Sequence, residues 1–298
     1  MKPIRPIAVL PTLFTLGNLV CGFFAIVVLS RIEKPGGVQF ETAPRIELKL
    51  ESAKELAQSA KELIGSDDPT HNLMLCGALI LLAMLFDAVD GQVARITRGV
   101  TDFGGQLDSL CDLVSFGLAP AILLVKMCPQ FTNLHSEAIW SIAALFACCA
   151  ALRLARFNVE SDADDDHTSF AGLPTPAAAA AIASFAILSY TLRNERAFVP
   201  IENFEKYDWW MQRLLPIFSI VIALLMVSRV PYPHPLTQFV RGHRSFAQLV
   251  AIVFSLMALL TVRSIAVPLL CVLFVIGPPM KFAWEVVWHR RVREESLF

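Results

Sequence analysis

Charge is scarce in this 298-residue chain. Lys, Arg, Asp and Glu make up 17% of it, and the formal balance is a net −1. A near-neutral chain gives no reason to expect a nucleic-acid partner. Paired cysteine motifs are also missing. The seven cysteines, Cys21, Cys76, Cys111, Cys128, Cys148, Cys149 and Cys271, contain no CxxC pair, and most lie within apolar runs. They read as reduced, small apolar residues rather than a disulfide framework or a metal site. His234 and His243 have no second histidine at ligand spacing, and no internal repeat is evident. What the chain has in excess is apolar residues, at 55% with a mean hydropathy of +0.58. A soluble domain averages about 45–50%, so the composition points to a membrane.

A spanning helix needs about 20 mostly apolar residues. Eight stretches qualify: 8–30, 72–94, 106–127, 138–157, 174–192, 214–230, 246–261 and 265–287. The first follows "MKPIR", but its apolar run is too long for a signal peptide and no small-residue cleavage pattern follows it. Basic residues set the orientation. Lys2 and Arg5 put the amino terminus in the cytoplasm. Alternation then puts Arg95, Arg98, Arg153, Arg156, Arg229, Arg241 and Arg244 there, together with the tail "WHRRVREESLF". The expected fold is an all-α polytopic membrane protein. Its segments are 1–30 (the first span), 31–71 (an extracytoplasmic insertion), 72–230 (the rest of the core) and 231–298 (an extension with two spans). Within the insertion, Ile46, Leu48, Leu50, Ala53, Leu56, Ala57, Ala60 and Leu63 approach helical spacing, which predicts an amphipathic surface helix. The run "ESDADDDH" at 160–167 reads as a solvated loop.

The stretch "DAVDGQVARITRGVTDFGGQLDSLCD", 87–112, is the anomaly, because it sets four aspartates into apolar segments. An ionised Asp at the centre of a spanning helix costs about 2.5–3.5 kcal/mol on insertion scales. Asp87 and Asp90 share one helix face with Gly91 and Ala94, and Asp108 and Asp112 share another with Gly104. The polar turn between them can reverse the chain, so that the two carboxylate pairs face each other. Ligands that are all oxygens favour hard cations such as Mg²⁺ or Mn²⁺. Two such ions can polarise a diphosphate, and one carboxylate can accept a proton from an attacking hydroxyl.

The run Asp87, Asp90, Gly91, Ala94, Arg95, Gly104, Asp108, Asp112 is D-x-x-D-G-x-x-A-R, then eight residues, then G-x-x-x-D-x-x-x-D. It resembles the motif of the CDP-alcohol phosphatidyltransferases, with no position missing. The resemblance implies a six-helix membrane core, to which the last two spans are an addition. It also implies a homodimer, two divalent cations (Mg²⁺ or Mn²⁺), and transfer of a phosphatidyl group from CDP-diacylglycerol to an alcohol with release of CMP. It makes Asp87, Asp90 and Asp108 metal ligands, and Asp112 both a ligand and the general base. The site then opens to the cytoplasmic side, where the charge pattern independently puts the motif turn.

The acceptor is suggested by other stretches. "LPTLFTLGNLVCGFFAI", "GGQLDSLCDLVSFGLAPA", "ALRLARFNV" and "FAGLPTPAAAA" look like segments of the membrane-bound phosphatidylserine synthase branch. That resemblance implies L-serine as acceptor and a bacterial-type inner membrane as location. A glycerol-phosphate or inositol-type acceptor is the alternative. Asp90, Gly91, Ala94, Arg95 and Gly104 would face the CDP-linked lipid. Asn18 is counted with them, although helix packing accounts for Thr15 and Asn18 equally well. A carboxylate-bearing acceptor calls for a guanidinium, so Arg156, then Arg153, with Asn158 beside them, are the candidate acceptor contacts. "GLPTPAAAA" itself reads as a packing element: prolines at a helix start, then small residues. Pro268, Pro278 and Pro279 suggest kinked or broken helix ends. A cation channel or transporter is the competing class, but it would usually show inverted repeats or interrupted helices in matching halves.

Overall fold

The computed structural model describes residues 9–32, 69–97, 102–128, 136–161, 169–194, 201–233 and 263–295. The span at 246–261, both loop histidines and nearly all of the 31–71 insertion lie outside them. Among the described residues the chain is a helical bundle. Its elements are α1 (Val9–Ser30), α2 (Pro69–Thr97), α3 (Asp102–Asp112), a π-helical stretch (Leu113–Leu118) that runs into α4 (Ala119–Met127), α5 (Ser136–Ser161), α6 (Thr175–Asn194), α7 (Ile201–Val227) and α8 (Arg263–Glu295). Among the described residues five stretches are long and apolar enough to cross a membrane, Pro11–Ser30, Pro69–Val93, Phe103–Met127, Glu137–Val159 and Trp209–Val227, while the expected spans 174–192 and 265–287 hold shorter apolar stretches, Thr175–Thr191 and Val267–Phe282. The all-α membrane architecture expected from the sequence is therefore borne out, and the protein is an integral membrane protein.

The bundle is built on small residues. α1 packs along α2, with Phe14 and Phe86 in ring contact and Phe86 also at van der Waals distance from Gly17. α2 in turn lies on α6, where a Cβ at Gly77 would come within 2.8 Å of the Ala183 carbonyl. Ala178 to Ala183 and Ala186 are buried on α6. In lipid there is little hydrophobic drive between helices, so close approach at glycine and alanine supplies the packing. α6 has a shorter apolar stretch, Thr175–Thr191, and the surrounding helices shield it. Large apolar side chains instead cover the outside. On α7, Leu214, Ile217, Val221 and Leu224 are all exposed and recur at helical spacing, as a lipid-facing stripe does.

Several expected boundaries move. α7 begins well before 214, because "IENFEKYDWW" continues the same helix as a polar leader. At its junction with the apolar part, Trp209 meets Trp210 edge to face and Arg213 lies 3.6 Å from the Trp209 ring centroid, an aromatic-basic pairing suited to a membrane interface. α8 is not broken by its prolines: Pro268, Pro278 and Pro279 all lie inside one continuous helix. A spanning helix tolerates proline where neighbouring groups take up the freed carbonyls.

The sequence also gave no sign of a short antiparallel pairing, β1 (Ser169–Ala171) with β2 (Pro231–Pro233), centred on Phe170 opposite Tyr232. Two prolines in three residues of β2 read as a loop. Tyr232 is fully buried, and its hydroxyl donates to the Val275 carbonyl at 2.8 Å, tying the pair to α8. Directly after β1, Gly172 adopts φ +89, and its N–H donates to the Val230 carbonyl at 2.9 Å. A Cβ there would lie 2.5 Å from the Met226 carbonyl oxygen. Gly172→Ala is therefore expected to destabilise the bundle by at least about 1–3 kcal/mol, the range for a strained non-glycine backbone. A thermal scan of the detergent-solubilised variant checks this, and an unchanged midpoint would show that the corner relaxes without cost.

Candidate active site

The four aspartates come from two helices that meet in space. Asp87 and Asp90 lie near the end of α2, Asp108 and Asp112 on α3. Asp87, Asp90 and Asp108 each offer a carboxylate oxygen, and these three oxygens all lie within 4.8 Å of one another. At an effective dielectric of about 20, two unit charges at that 4.8 Å separation repel by roughly 3.5 kcal/mol. Asp90 Oδ2 and Asp108 Oδ1 are also buried without a hydrogen-bond partner among the described residues. Converging, under-satisfied oxygens with no nitrogen or sulfur donor fit a hard divalent cation. The Thr15 side chain reaches Asp90, while its hydroxyl is within 3.1 Å of the Pro11 carbonyl.

Asp112 is not one of the three converging oxygens, but it lies near enough to Asp87 and Asp108 to interact with their charges. It is 7% exposed, and its Oδ1 accepts a hydrogen bond from Asn18 Nδ2 at 2.8 Å. Asn18 itself is fully buried on α1. Immediately after Asp112 the helix widens into the π-helical stretch, a distortion often found at functional sites. Ser115 in that stretch donates its hydroxyl to the Asn18 carbonyl at 2.9 Å.

The remaining predicted positions separate clearly. Gly91 is exposed, and among the described residues nothing lies within 4 Å of where its Cβ would be. Gly104 is half-buried at the start of α3. Ala94 and Arg95 lie on the last turns of α2. The two arginines of α5 part company. Arg153 donates from Nη1 to Thr175 Oγ1 at 2.7 Å and stands over the Phe157 ring at 5.8 Å. It is also near enough to Asp112 and Asp87 to interact with both charges. Arg156 is directed to the end of α7, where Nη1 donates to the Val227 carbonyl at 3.2 Å and the Ser228 carbonyl is 3.5 Å away. That is a helix C-terminus held by a cation. Asn158 pairs with Ser109, whose hydroxyl lies 3.0 Å from Asn158 Nδ2, so α5 is joined to the aspartate helix between Asp108 and Asp112. Ser109, Ser115, Gly22 and Thr175 were not singled out from the sequence. Only their spacing from the aspartates on α3 could have marked the two serines, and nothing local marks Thr175.

The chain is similar in sequence to known proteins over the region that holds this site. Residues 8–221 match the sequence model of the CDP-alcohol phosphatidyltransferases, a region that holds the whole aspartate motif. A CDP-diacylglycerol–serine O-phosphatidyltransferase of Methanocaldococcus jannaschii is 38% identical over 158 residues, which are 52% of this chain and 62% of that protein. Its namesake in Helicobacter pylori is 32% identical over 166 residues, 55% and 63% of the two chains. The archaetidylserine synthase of Methanothermobacter thermautotrophicus is 35% identical over 157 residues, 52% and 56%. The match thus spans less than two thirds of the length of each of these relatives. The family model covers most of the present chain, from the start of α1 into α7, and the chain belongs to the CDP-alcohol phosphatidyltransferase family.

Proposed function

We propose that this chain transfers a phosphatidyl group from CDP-diacylglycerol to the hydroxyl of L-serine, giving phosphatidylserine and CMP. The observation that carries this is the convergence of Asp87, Asp90 and Asp108 beside a separately held Asp112. Serine is favoured over a glycerol-phosphate or inositol-type acceptor because the relatives just named are serine or archaetidylserine enzymes by name. In this reading Asp87, Asp90 and Asp108 hold divalent cations, Mg²⁺ or Mn²⁺, with Asp112 as a further ligand. Ions bound there supply positive charge to the diphosphate and to the departing CMP. Asp90, Gly91, Ala94, Arg95 and Gly104 form the CDP-lipid contact. The exposed Gly91 admits the nucleotide, and Arg95 supplies a guanidinium for phosphate. Asp112 takes the proton of the serine hydroxyl as that oxygen attacks the phosphorus nearest the lipid.

The protein works as a homodimer in a bacterial-type inner membrane, with both termini and the site on the cytoplasmic side. Purified protein given CDP-diacylglycerol and Mg²⁺ or Mn²⁺ should release CMP with serine. Glycerol phosphate and inositol phosphate, offered in parallel, should support little release. CMP release with one of these and none with serine would overturn the choice of acceptor.

The arginine contacts change the order in which the acceptor residues are ranked. Arg153 lies toward the carboxylates, whereas Arg156 holds the end of α7. Arg153→Ala is therefore expected to raise the Michaelis constant for serine by about tenfold or more, the cost of losing one charged hydrogen-bonding group. CDP-lipid affinity should change far less. Arg153→Lys should recover only part, because lysine lacks the planar two-bond contact. Arg156→Ala should show mainly as a lower unfolding midpoint. If serine dependence is unchanged in both alanine variants, the acceptor pocket lies elsewhere.

A further inference from the structure

We infer that Asn18 is a positioning residue for Asp112: its amide fixes the carboxylate that accepts the acceptor's proton, rather than contacting the CDP-linked lipid. The inference rests on the phosphatidyl-transfer reading above. Three observations carry it. The first is the bond itself. Asn18 Nδ2 donates to Asp112 Oδ1 at 2.8 Å, and both residues are buried. An ionised carboxylate can only accept, so the NH2 end of the amide must face it.

The second is how Asn18 is held. Its backbone carbonyl accepts from Ser115 Oγ at 2.9 Å. One turn further along α1, a Cβ at Gly22 would fall 2.7 Å from Ser115 Cα. Glycine thus lets α1 touch the π-helical stretch that starts at Leu113, directly after Asp112. The donor is braced against the same segment that carries its acceptor. The third is exposure. Asn18 shows no surface at all, while Gly91 beside Asp90 is exposed. A fully buried Asn18 has no surface to offer an entering ligand.

The terminal torsion of an aspartate is broad and roughly two-fold, so an unsupported carboxylate samples many orientations. With Asn18 on Oδ1, the rotation is fixed and Oδ2 is the oxygen that Asn18 leaves unengaged. A base held this way keeps its reach for the attacking hydroxyl constant, and that geometry affects the chemical step rather than binding.

The test uses the full-length protein in detergent or vesicles. Asn18→Leu keeps the volume and removes the donor. It should lower kcat by about 10–100-fold, less than the 100- to 10,000-fold that a general base itself supplies, because the base is misplaced rather than removed. The Michaelis constant for CDP-diacylglycerol, and Mn²⁺ affinity followed by electron paramagnetic resonance, should each stay within about threefold, since Asp87, Asp90 and Asp108 supply most of the ion's ligands and Asp112 keeps its carboxylate. In an Asp112→Asn background the same substitution should cost less than about twofold, because residues that act as a unit are non-additive. Ser115→Ala should reproduce a smaller version of the kcat loss. Weakened CDP-lipid binding with kcat preserved would make Asn18 a lipid contact and overturn the inference. So would losses that multiply in the double variant, or Mn²⁺ affinity that falls in step with kcat. Turnover with an acceptor other than serine would revise the reaction while leaving every one of these comparisons valid.

Discussion

Asp108→Asn is expected to reduce turnover at least about 100-fold, a loss of roughly 2.7 kcal/mol in transition-state stabilisation. Asp87→Asn and Asp90→Asn should do the same. The reason lies in the triad's geometry. Three carboxylate oxygens within 4.8 Å form an unfavourable arrangement unless a cation joins them. Replacing one carboxylate by an amide removes a full charge from the ion's surroundings while leaving the shape nearly unchanged. Asp108 and Asp90 are the sharpest cases, since Asp108 Oδ1 and Asp90 Oδ2 are each buried with no hydrogen-bond partner among the described residues. An amide would put a neutral group where only a cation has a use for the site. The same logic predicts that a chelator abolishes turnover and that Mg²⁺ or Mn²⁺ restores it. Zn²⁺ should be a poorer substitute, because the donor set lacks nitrogen and sulfur. Mn²⁺ binding followed by electron paramagnetic resonance gives a readout independent of turnover, and each Asp→Asn change should weaken it. Full turnover in excess chelator would sink the metal assignment for all three aspartates together.

Much of this site is legible in the sequence because it is local. Asp87 and Asp90 sit three apart, Asp108 and Asp112 four apart, and a short polar turn separates the pairs. Helical periodicity alone puts each pair on one face, and a reversal brings the faces together. Five of the eight expected spans are legible for a related reason: the bilayer demands length and apolarity, and both can be read residue by residue. The parts that escape are non-local. Nothing near Asn18 points to residue 112, since their bond spans 94 positions and depends on Gly22 admitting Ser115. Nothing near Arg156 announces that α7 ends beside it, so spacing alone ranks Arg156 ahead of Arg153 and the contacts reverse that order. The prolines misled in the other direction. They read as kinked or broken helix ends on α8, and the break is not there: the helix runs through all three. Their local preference was outweighed by the surrounding bundle, as tertiary context often outweighs propensity.

Asp112→Asn should separate chemistry from binding more cleanly than any other single change. As the proposed base, Asp112 must accept a proton, and an amide cannot. The expected loss in kcat is about 1,000-fold, within the 100- to 10,000-fold range for general-base catalysis, or roughly 4 kcal/mol. Geometry should survive, for a specific reason. The substituted amide still offers a carbonyl oxygen to Asn18 Nδ2, so the 2.8 Å bond that fixes this position can be kept. The triad of Asp87, Asp90 and Asp108 is untouched, and any cation there keeps most of its ligands. CDP-diacylglycerol should therefore bind the variant within a few-fold of its affinity for the unsubstituted protein, measured by direct titration without serine. Single-turnover kinetics with saturating lipid would then place the defect in the transfer step. The contrast with Asp108→Asn is the informative part, because that change should weaken metal binding and turnover together. Should Asp112→Asn abolish lipid and Mn²⁺ binding as completely as Asp108→Asn does, Asp112 is a metal ligand alone. The proton of the attacking hydroxyl must then go to another group or to water.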